Sequence, residues 1–262
     1  MYTNTVYPKM SEPTSITAVV LTKDEVDNIT RCLKSLLWCE EIILVDDSKD
    51  KTLELARTIV SDKKLRIIKQ SSTSDFAALR NMALKQARHV WVLFVDADEE
   101  VTPGLAREIK EAICDEGENG YFLKRRDHFL GRWLKFGETA EVRLLKLGRK
   151  DAGKWVRRVH EKWEITNPTG ELVSPLLHYP HPTVAEFIAR INRWTTLDAQ
   201  EFYDQGVRSN WAKILIFPLG KFLRNYFIKL GFLDGLPGLI MAINMSFHSF
   251  LTRAKLYLLQ TS

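Results

Sequence analysis

Strand-length apolar runs alternate with helical-period segments from residue 15 to residue 113. Ile16-Thr17-Ala18-Val19-Val20-Leu21 is almost continuously apolar and predicts a buried strand. Residues 28–37 place Ile29, Leu33, Leu36 and Leu37 on one helical face. Ile42-Ile43-Leu44-Val45 predicts a second strand, 52–60 a helix, and Leu65-Arg66-Ile67-Ile68 a third strand. Residues 76–87 predict a helix, 90–95 a fourth strand, and 103–113 a helix that Thr102-Pro103 would start. Near-continuous apolar strands joined by short helical crossovers predict an α/β fold, a mostly parallel, Rossmann-like sheet with helices on both faces. Right-handed crossovers then bring all the carboxyl ends of these strands to one edge.

After Cys114 the pattern changes. Gly120–Lys124 and Val142–Leu147 predict strands with polar flanks, and the basic and aromatic residues between them (Arg125, Arg126, His128, Phe129, Arg132, Trp133) predict an exposed loop. Val159–Trp163 predicts a short strand or turn, and 183–202 an amphipathic helix with Phe187, Ile188, Ile191, Trp194 and Leu197 inward. Residues 1–14 are polar, contain Pro8 and Pro13, and predict a flexible arm with no apolar signal-peptide core. The implied organisation is an arm over 1–14, a main domain over 15–182 and a helical C-terminal region over 183–262.

That C-terminal region changes the picture most. Gly235 to Thr252 holds no charged residue across 18 positions, just short of the roughly 20 that a spanning helix needs. Between Trp211 and Leu233 there is no acidic residue, while Lys213, Lys221, Arg224 and Lys229 alternate with aromatic and aliphatic side chains. Basic plus aromatic suits nucleic acid or an anionic membrane. The aliphatic density selects the membrane, with helices lying in the interface rather than spanning it; a helical hairpin packed on the main domain is the soluble alternative. The chain carries a net charge of +5 over 262 residues, and its three cysteines lack metal-ligand spacing and suit a reducing compartment.

The candidate chemistry sits at strand ends. Asp96-Ala97-Asp98-Glu99 follows the fourth strand, Asp46-Asp47-Ser48 the second and Thr22-Lys23-Asp24-Glu25 the first. An open α/β sheet binds ligands at the carboxyl ends of its strands. Strand period two would put Asp96 and Asp98 on one side, where they can hold a hard divalent cation that shares its shell with phosphates. The alternative is a solvated acidic turn before the next helix.

These residues together resemble the family 2 glycosyltransferases. The likeness begins at Ile16–Glu25 and runs through Glu41–Ser48, Arg80–Leu84, Trp91–Glu99 and Val159–Glu161. Gly231–Leu239 is similar to a narrower branch that includes lipopolysaccharide core β-1,4-glucosyltransferases, in which Asp24 has an Asn counterpart. The resemblance implies a GT-A fold and an inverting, metal-dependent transferase (EC 2.4 class) that moves a sugar, glucose in that branch, from a UDP-sugar to a lipid-linked or lipopolysaccharide core saccharide. It implies that Thr22, Asp24, Asp46 or Asp47, Arg80 and Asp96 hold the nucleotide sugar. Asp98 would bind Mg²⁺ or Mn²⁺, with Asp96 touching the ribose or joining the metal shell. His160 would contact the diphosphate or metal, or make a structural hydrogen bond. The base that takes the acceptor proton would be Glu161, with Glu141 and Glu138 in reserve and a surface pairing of Glu161 with Arg157 or Arg158 as the alternative. The expected partners are the UDP-sugar, the lipid-linked acceptor and the inner leaflet, without nucleic acid. The expected location is the cytoplasmic face of the inner membrane, peripheral or interfacial. A catalytically silent GT-A-like protein at the membrane surface is the rival reading. A nucleotidyltransferase is disfavoured, because Thr22–Asp27 is acidic and has no glycine.

Overall fold

The structure is a computed structural model that describes residues 15–70, 75–115, 117–157, 161–181 and 183–261. The arm expected over 1–14 lies outside the described residues, as do Val159 and His160.

The first half alternates as its apolar pattern predicts: β1 (Ile16–Thr22), α1 (Ile29–Lys34), β2 (Glu41–Asp46), α2 (Thr52–Ile59), β3 (Leu65–Lys69), α3 (Phe76–Gln86) and β4 (Trp91–Asp96). β1 pairs in parallel with β2 and β4, and β2 with β3. These strands are apolar on both faces because both faces are covered. Ile16, Ala18 and Val20 pack with Ile29 and Leu33 of α1 and Ala56 of α2, whereas Val19 packs with Ala77, Leu79 and Ala83 of α3. Each such buried side chain stabilises the fold by roughly 1.5–3 kcal/mol, so burial decides the arrangement and caps only trim it. The caps are nonetheless where the sequence puts them. Asp75 accepts from the Ala78 amide at the start of α3, and Thr102 accepts from the Leu105 amide ahead of Pro103.

A short strand β5 (Glu99–Val101) precedes α4 (Pro103–Ala112). The second half then adds β6 (Gly120–Phe129), β7 (Arg132–Trp133), β8 (Arg143–Arg149), β9 (Gly153–Val156), β10 (Lys162–Ile165) and β11 (Thr169–His181). The main sheet has the order β3-β2-β1-β4-β8-β6-β11-β5, with β7 beside β6, while β9 and β10 form a separate hairpin. The sheet is parallel where β-α units built it. It turns mixed beyond β4, since β8 is antiparallel to both β4 and β6 and β5 is antiparallel to β11.

Two expectations need correction here. The segment predicted as an exposed loop is the end of β6 and its turn into β7; Asp127 and Phe129 are buried. Asp96 and Asp98 are not successive same-side residues of one extended strand, because the chain turns at Ala97-Asp98 between β4 and β5. The Asp98 carbonyl there accepts from the Tyr179 amide, which ties the turn to β11.

The C-terminal helices are α5 (Val184–Asp204), α6 (Trp211–Leu223) and α7 (Gly235–Thr261). A π-helical turn over Arg224–Ile228 and a 3₁₀ turn over Gly231–Asp234 join α6 to α7. Phe187 and Ile191 of α5 and Met241 of α7 meet Phe129 and Leu134 in a third apolar cluster, which fastens the helices to the β6–β7 hairpin.

Candidate active site

The carboxyl ends of β1, β2 and β4 open into a cavity of about 470 Å³. Thr22, Lys23 and Glu25 come from the first end, Asp47 from the second, and Asp96, Ala97 and Asp98 from the third. The three acidic tips therefore do converge on one edge. Arg80 and Glu161 complete one wall, and His178, Arg190, Arg193 and Trp194 the other.

Within the first two tips the polar residues divide their tasks. Thr22 lines the cavity, and its hydroxyl donates to Asp46 Oδ1 at 2.9 Å. Asp46 is buried behind Thr22 and does not line the cavity; Asp47 does, paired with Lys23 at 2.9 Å. Asp24 adopts a left-handed backbone (φ 55°). Its amide donates to Ser48 Oγ and its Oδ1 accepts from the Lys49 amide. Asp24 thus clasps the β1 end to the β2 end and stands outside the cavity lining.

The Arg80-Asn81 pair positions the next elements. The Asn81 side chain makes two hydrogen bonds to the Trp155 backbone, donating to its carbonyl at 2.8 Å and accepting from its amide at 2.9 Å. Trp155 stacks on Trp163, and both pack edge-on against Phe94 of β4. This anchors the β9–β10 hairpin on α3, and Glu161, immediately before β10, comes to lie against Arg80. The Arg80 guanidinium sits 4.8 Å from the Trp155 ring centroid, a desolvated cation–π contact. Arg80 holds Glu161 Oε1 through Nε at 3.1 Å and Asp96 Oδ1 through Nη2 at 2.8 Å. Burial opposes the Arg80 charge, but Asp96 and Glu161 more than offset that and raise its pKa. Glu161 thus pairs with Arg80 and not with Arg157; Arg158, the other arginine considered, lies outside the described residues. Its Oε2 takes no hydrogen bond from the described residues.

Asp96 is held on both oxygens. Arg80 takes Oδ1 and the buried Lys146 ammonium takes Oδ2 at 2.7 Å. Burial pushes the Asp96 carboxyl up, yet Lys146 and Arg80 outweigh it and hold the group well below the ordinary carboxylate range. Lys146 also bridges to buried Glu99, whose carboxyl receives the Asp96 amide at 2.8 Å; there burial wins and the pKa rises. Each Asp96 oxygen thus already holds a protein cation, and the carboxylate bridges Arg80 and Lys146 at the cavity wall.

Asp98 differs. It lines the cavity, and its nearest cationic partners, His178 Nε2 and Arg190 Nη1, stand off at 3.6 and 3.7 Å from Oδ2. Burial raises its pKa, but the His178 contact prevails and the carboxyl stays ionised below its usual range. His178 is held from behind by Asp127, Nδ1 to Oδ1 at 2.9 Å. Burial disfavours the imidazolium, whereas Asp127 and Asp98 favour it and bring the pKa to about 9. Among the described residues no group of three or more His, Cys, Asp or Glu could cage a metal unaided. A cation beside Asp98 would need further oxygens, which a diphosphate supplies; the hard carboxylate at the cavity wall fits that arrangement.

Glu138 and Glu141, the reserve bases, lie outside the cavity lining. They flank a 3₁₀ turn and pair with Lys221 and Lys229 of the C-terminal region. The sequence reading missed Lys146, Asp127, His178, Arg190 and Arg193. His178 belongs to a 13-residue strand that holds Pro175 and Pro180 and shows no clean alternation. Arg190 and Arg193 occupy the polar side of an amphipathic helix, which by pattern alone reads as solvated. Three residues apart on α5, they share one face, and among the described residues Arg193 pairs with no carboxylate.

The family model for glycosyl transferase family 2 matches residues 17–163, a stretch that contains every strand-end acid of the cavity and Glu161. The chain belongs to glycosyl transferase family 2. It is 28% identical over 247 residues to the lipopolysaccharide core biosynthesis glycosyltransferase LpsC of Rhizobium meliloti (strain 1021), covering 92% of each chain. It is also 21% identical to an uncharacterized glycosyltransferase of Rickettsia bellii (strain RML369-C), covering 92% of this chain and 85% of that one. Its fold matches the S. aureus TarS fragment 1–349 solved with UDP-GlcNAc at a TM-score of 0.52 and 17% identity, covering 93% and 88% of the two chains. The same fragment with UDP gives a TM-score of 0.51. The GT-A architecture expected of this glycosyltransferase is therefore present, with its helical C-terminus.

Proposed function

We propose that this glycosyltransferase moves a sugar, with inversion, from a UDP-sugar to a hydroxyl of a lipid-linked saccharide of the lipopolysaccharide core type. The observation that carries the reading is the gathering of Thr22, Asp47, Asp96, Asp98, Arg80 and Glu161 around one cavity. Likeness over nearly the whole length to a lipopolysaccharide core enzyme supports the acceptor class, and UDP-sugar complexes of the TarS fold support the donor.

In this reading Asp47 and Thr22 meet the nucleoside, since carboxylates accept from base N–H and ribose hydroxyl groups. Asp98 would hold Mg²⁺ or Mn²⁺, and Arg190 and Arg193, which line the same cavity, would meet the diphosphate charge. When bound, the metal neutralises charge on the departing UDP. Arg80 fixes Glu161 by Oε1, so Oε2 receives the proton of the attacking hydroxyl. His178, kept cationic by Asp127, steadies the Asp98 carboxylate. Asp96 serves the site from within, by locking Arg80 and Lys146 in place.

A screen of UDP-sugars scored by UDP release, with Mn²⁺, with Mg²⁺ and with EDTA, tests the assignment. The expected outcome is metal-dependent release with one or a few donors, raised by a core saccharide. Undiminished transfer in EDTA would remove Asp98 from its assigned role. Tight UDP binding without release of UDP from any donor would instead favour the catalytically silent reading.

A further inference from the structure

The C-terminal helices carry an apolar surface that the active site leaves unexplained. α6 has no buried residue along its 13 positions. Trp211, Leu215, Leu219 and Leu223 recur every four residues, so they form one ridge along the helix, and Ile216 lies beside it. Their exposures are 75, 62, 61, 43 and 65%. Phe232, Leu233 and Leu236 extend the exposed surface around the corner into α7. Such a contiguous apolar patch marks a binding surface.

The corner itself is rigid. Buried Asp234 accepts from the Lys135 and Phe136 amides, 2.9 Å each, which ties the 3₁₀ turn to the main domain. Gly238 lets α7 start hard against that turn, since a Cβ there would stand 2.1 Å from the Gly231 carbonyl oxygen. Among the described residues no single helix is long and apolar enough to cross a membrane; the segments 211–228 and 231–261 qualify only as a pair, and that pair is bent by 69°.

Charge selects the occupant. Trp211 to Leu233 contains no acidic residue. Two copies set face to face would bring Lys213 and Arg224 against their own kind, with no carboxylate in the segment to meet them. A bilayer interface imposes no such repulsion. Two of the four cations, moreover, are spent within the molecule. Lys221 pairs with Glu138 and Lys229 with Glu141, and the Arg224 charge is also felt at Glu141. Lys213 and Arg224 form no ion pair among the described residues.

We infer that the α6 ridge and the α6–α7 corner dock in the interfacial zone of a lipid bilayer, with the helices lying in the membrane plane and held mainly by apolar side chains. This deepens the proposed reading of a lipid-linked acceptor, because the rigid corner would then fix the height and tilt of the cavity over the lipid surface. Its test does not depend on transfer.

Flotation of the full chain with neutral phosphatidylcholine vesicles, and with vesicles containing phosphatidylglycerol, measures the docking. The wild type is expected to float with both, and anionic lipid should raise binding by about thirtyfold, the increment of the two unpaired cations Lys213 and Arg224. L215E/L219E and W211E should each lower flotation at least tenfold while retaining the thermal midpoint and the UDP affinity of the wild type. No flotation of the wild type, or flotation of both variants at its level, overturns the inference. So does membrane-bound protein that resists carbonate extraction, which would mean a span. A concentration-dependent dimer abolished by L215E/L219E, without vesicle binding, would assign the face to a second copy. A chain that floats as expected yet shows no donor turnover would leave the docking intact and sink the catalytic reading alone.

Discussion

Two buried carboxylates sit at opposite ends of the same parallel strands and do opposite things. Glu41 opens β2 at the amino edge. Its oxygens accept from Thr17 Oγ1, Arg66 and the Arg88 amide at 2.8–3.1 Å, and it does not line the active-site cavity. Asp98 follows β4 at the carboxyl edge, lines the cavity, and keeps its cations at 3.6 Å or more. Burial is common to both. Saturation separates them, because the Glu41 valences are consumed by the fold and those of Asp98 remain open to a ligand. Asp96 falls between, at the cavity with a protein cation on each oxygen, and so reads first as a support of the site.

The comparison breaks most readily through the side chains that cross from support to chemistry. Glu161→Gln removes the proposed proton acceptor and keeps the Arg80 contact through an amide oxygen. Turnover is expected to fall about 10³-fold, on the order of 4 kcal/mol in the barrier, with UDP affinity unchanged. A KM-against-kcat analysis checks this; a change confined to KM would place Glu161 in substrate binding.

Lys146→Met tests whether the carboxyl edge also needs internal neutralisation. The variant leaves buried Glu99 without its cation and Asp96 with Arg80 alone, a loss of about 3 kcal/mol. In a chain of this size each kcal/mol moves the thermal midpoint by roughly 2–4 °C, so a drop of about 6–12 °C should appear in calorimetry. An unchanged midpoint would mean that the Lys146 bridge is dispensable.

Glu41→Gln sharpens the other end. It is expected to cost about 2 kcal/mol of stability and nothing in turnover. Burial raises the Glu41 pKa, but its hydrogen bonds to the Arg88 amide, Thr17 and Arg66 outweigh that and set it below the ordinary value of 4.5. The stabilisation is therefore fully present above pH of about 5 and is lost as pH falls through the depressed folded value. Denaturation of wild type and variant should differ at pH 7 and converge toward pH 3; a gap that widens on acidification would contradict the assignment.

The same distinction explains what could be read in advance. The β1–β4 half was legible because doubly covered parallel strands are apolar throughout, and acids at their ends stand out against that background. Convergence of Thr22, Asp47, Asp96 and Asp98 follows from right-handed crossovers, which local sequence encodes. The partition among these acids was not legible. Whether Asp46 or Asp47 faces the cavity depends on where the strand ends by one residue, and the status of Asp96 depends on Lys146, 50 positions away. Glu161 could be nominated, but its partner could not, because the Asn81 grip on Trp155 is purely tertiary. β11 was missed since its prolines and its Leu172–Pro175 irregularity erase the strand period, and His178 was missed with it. The exposed ridge of α6 was visible as composition; the neutralisation of Lys221 and Lys229 by Glu138 and Glu141 required the fold.

In the proposed reading Asp98 is the open carboxylate that would hold a divalent cation for the donor. Calorimetric titration of UDP into wild type and Asp98→Ala, each with Mn²⁺ and with EDTA, tests it most directly. The account predicts that Mn²⁺ tightens UDP binding to the wild type at least tenfold, and that Asp98→Ala, with an unchanged thermal midpoint, loses this enhancement while keeping the metal-free affinity. Equal enhancement by Mn²⁺ in wild type and Asp98→Ala would contradict it.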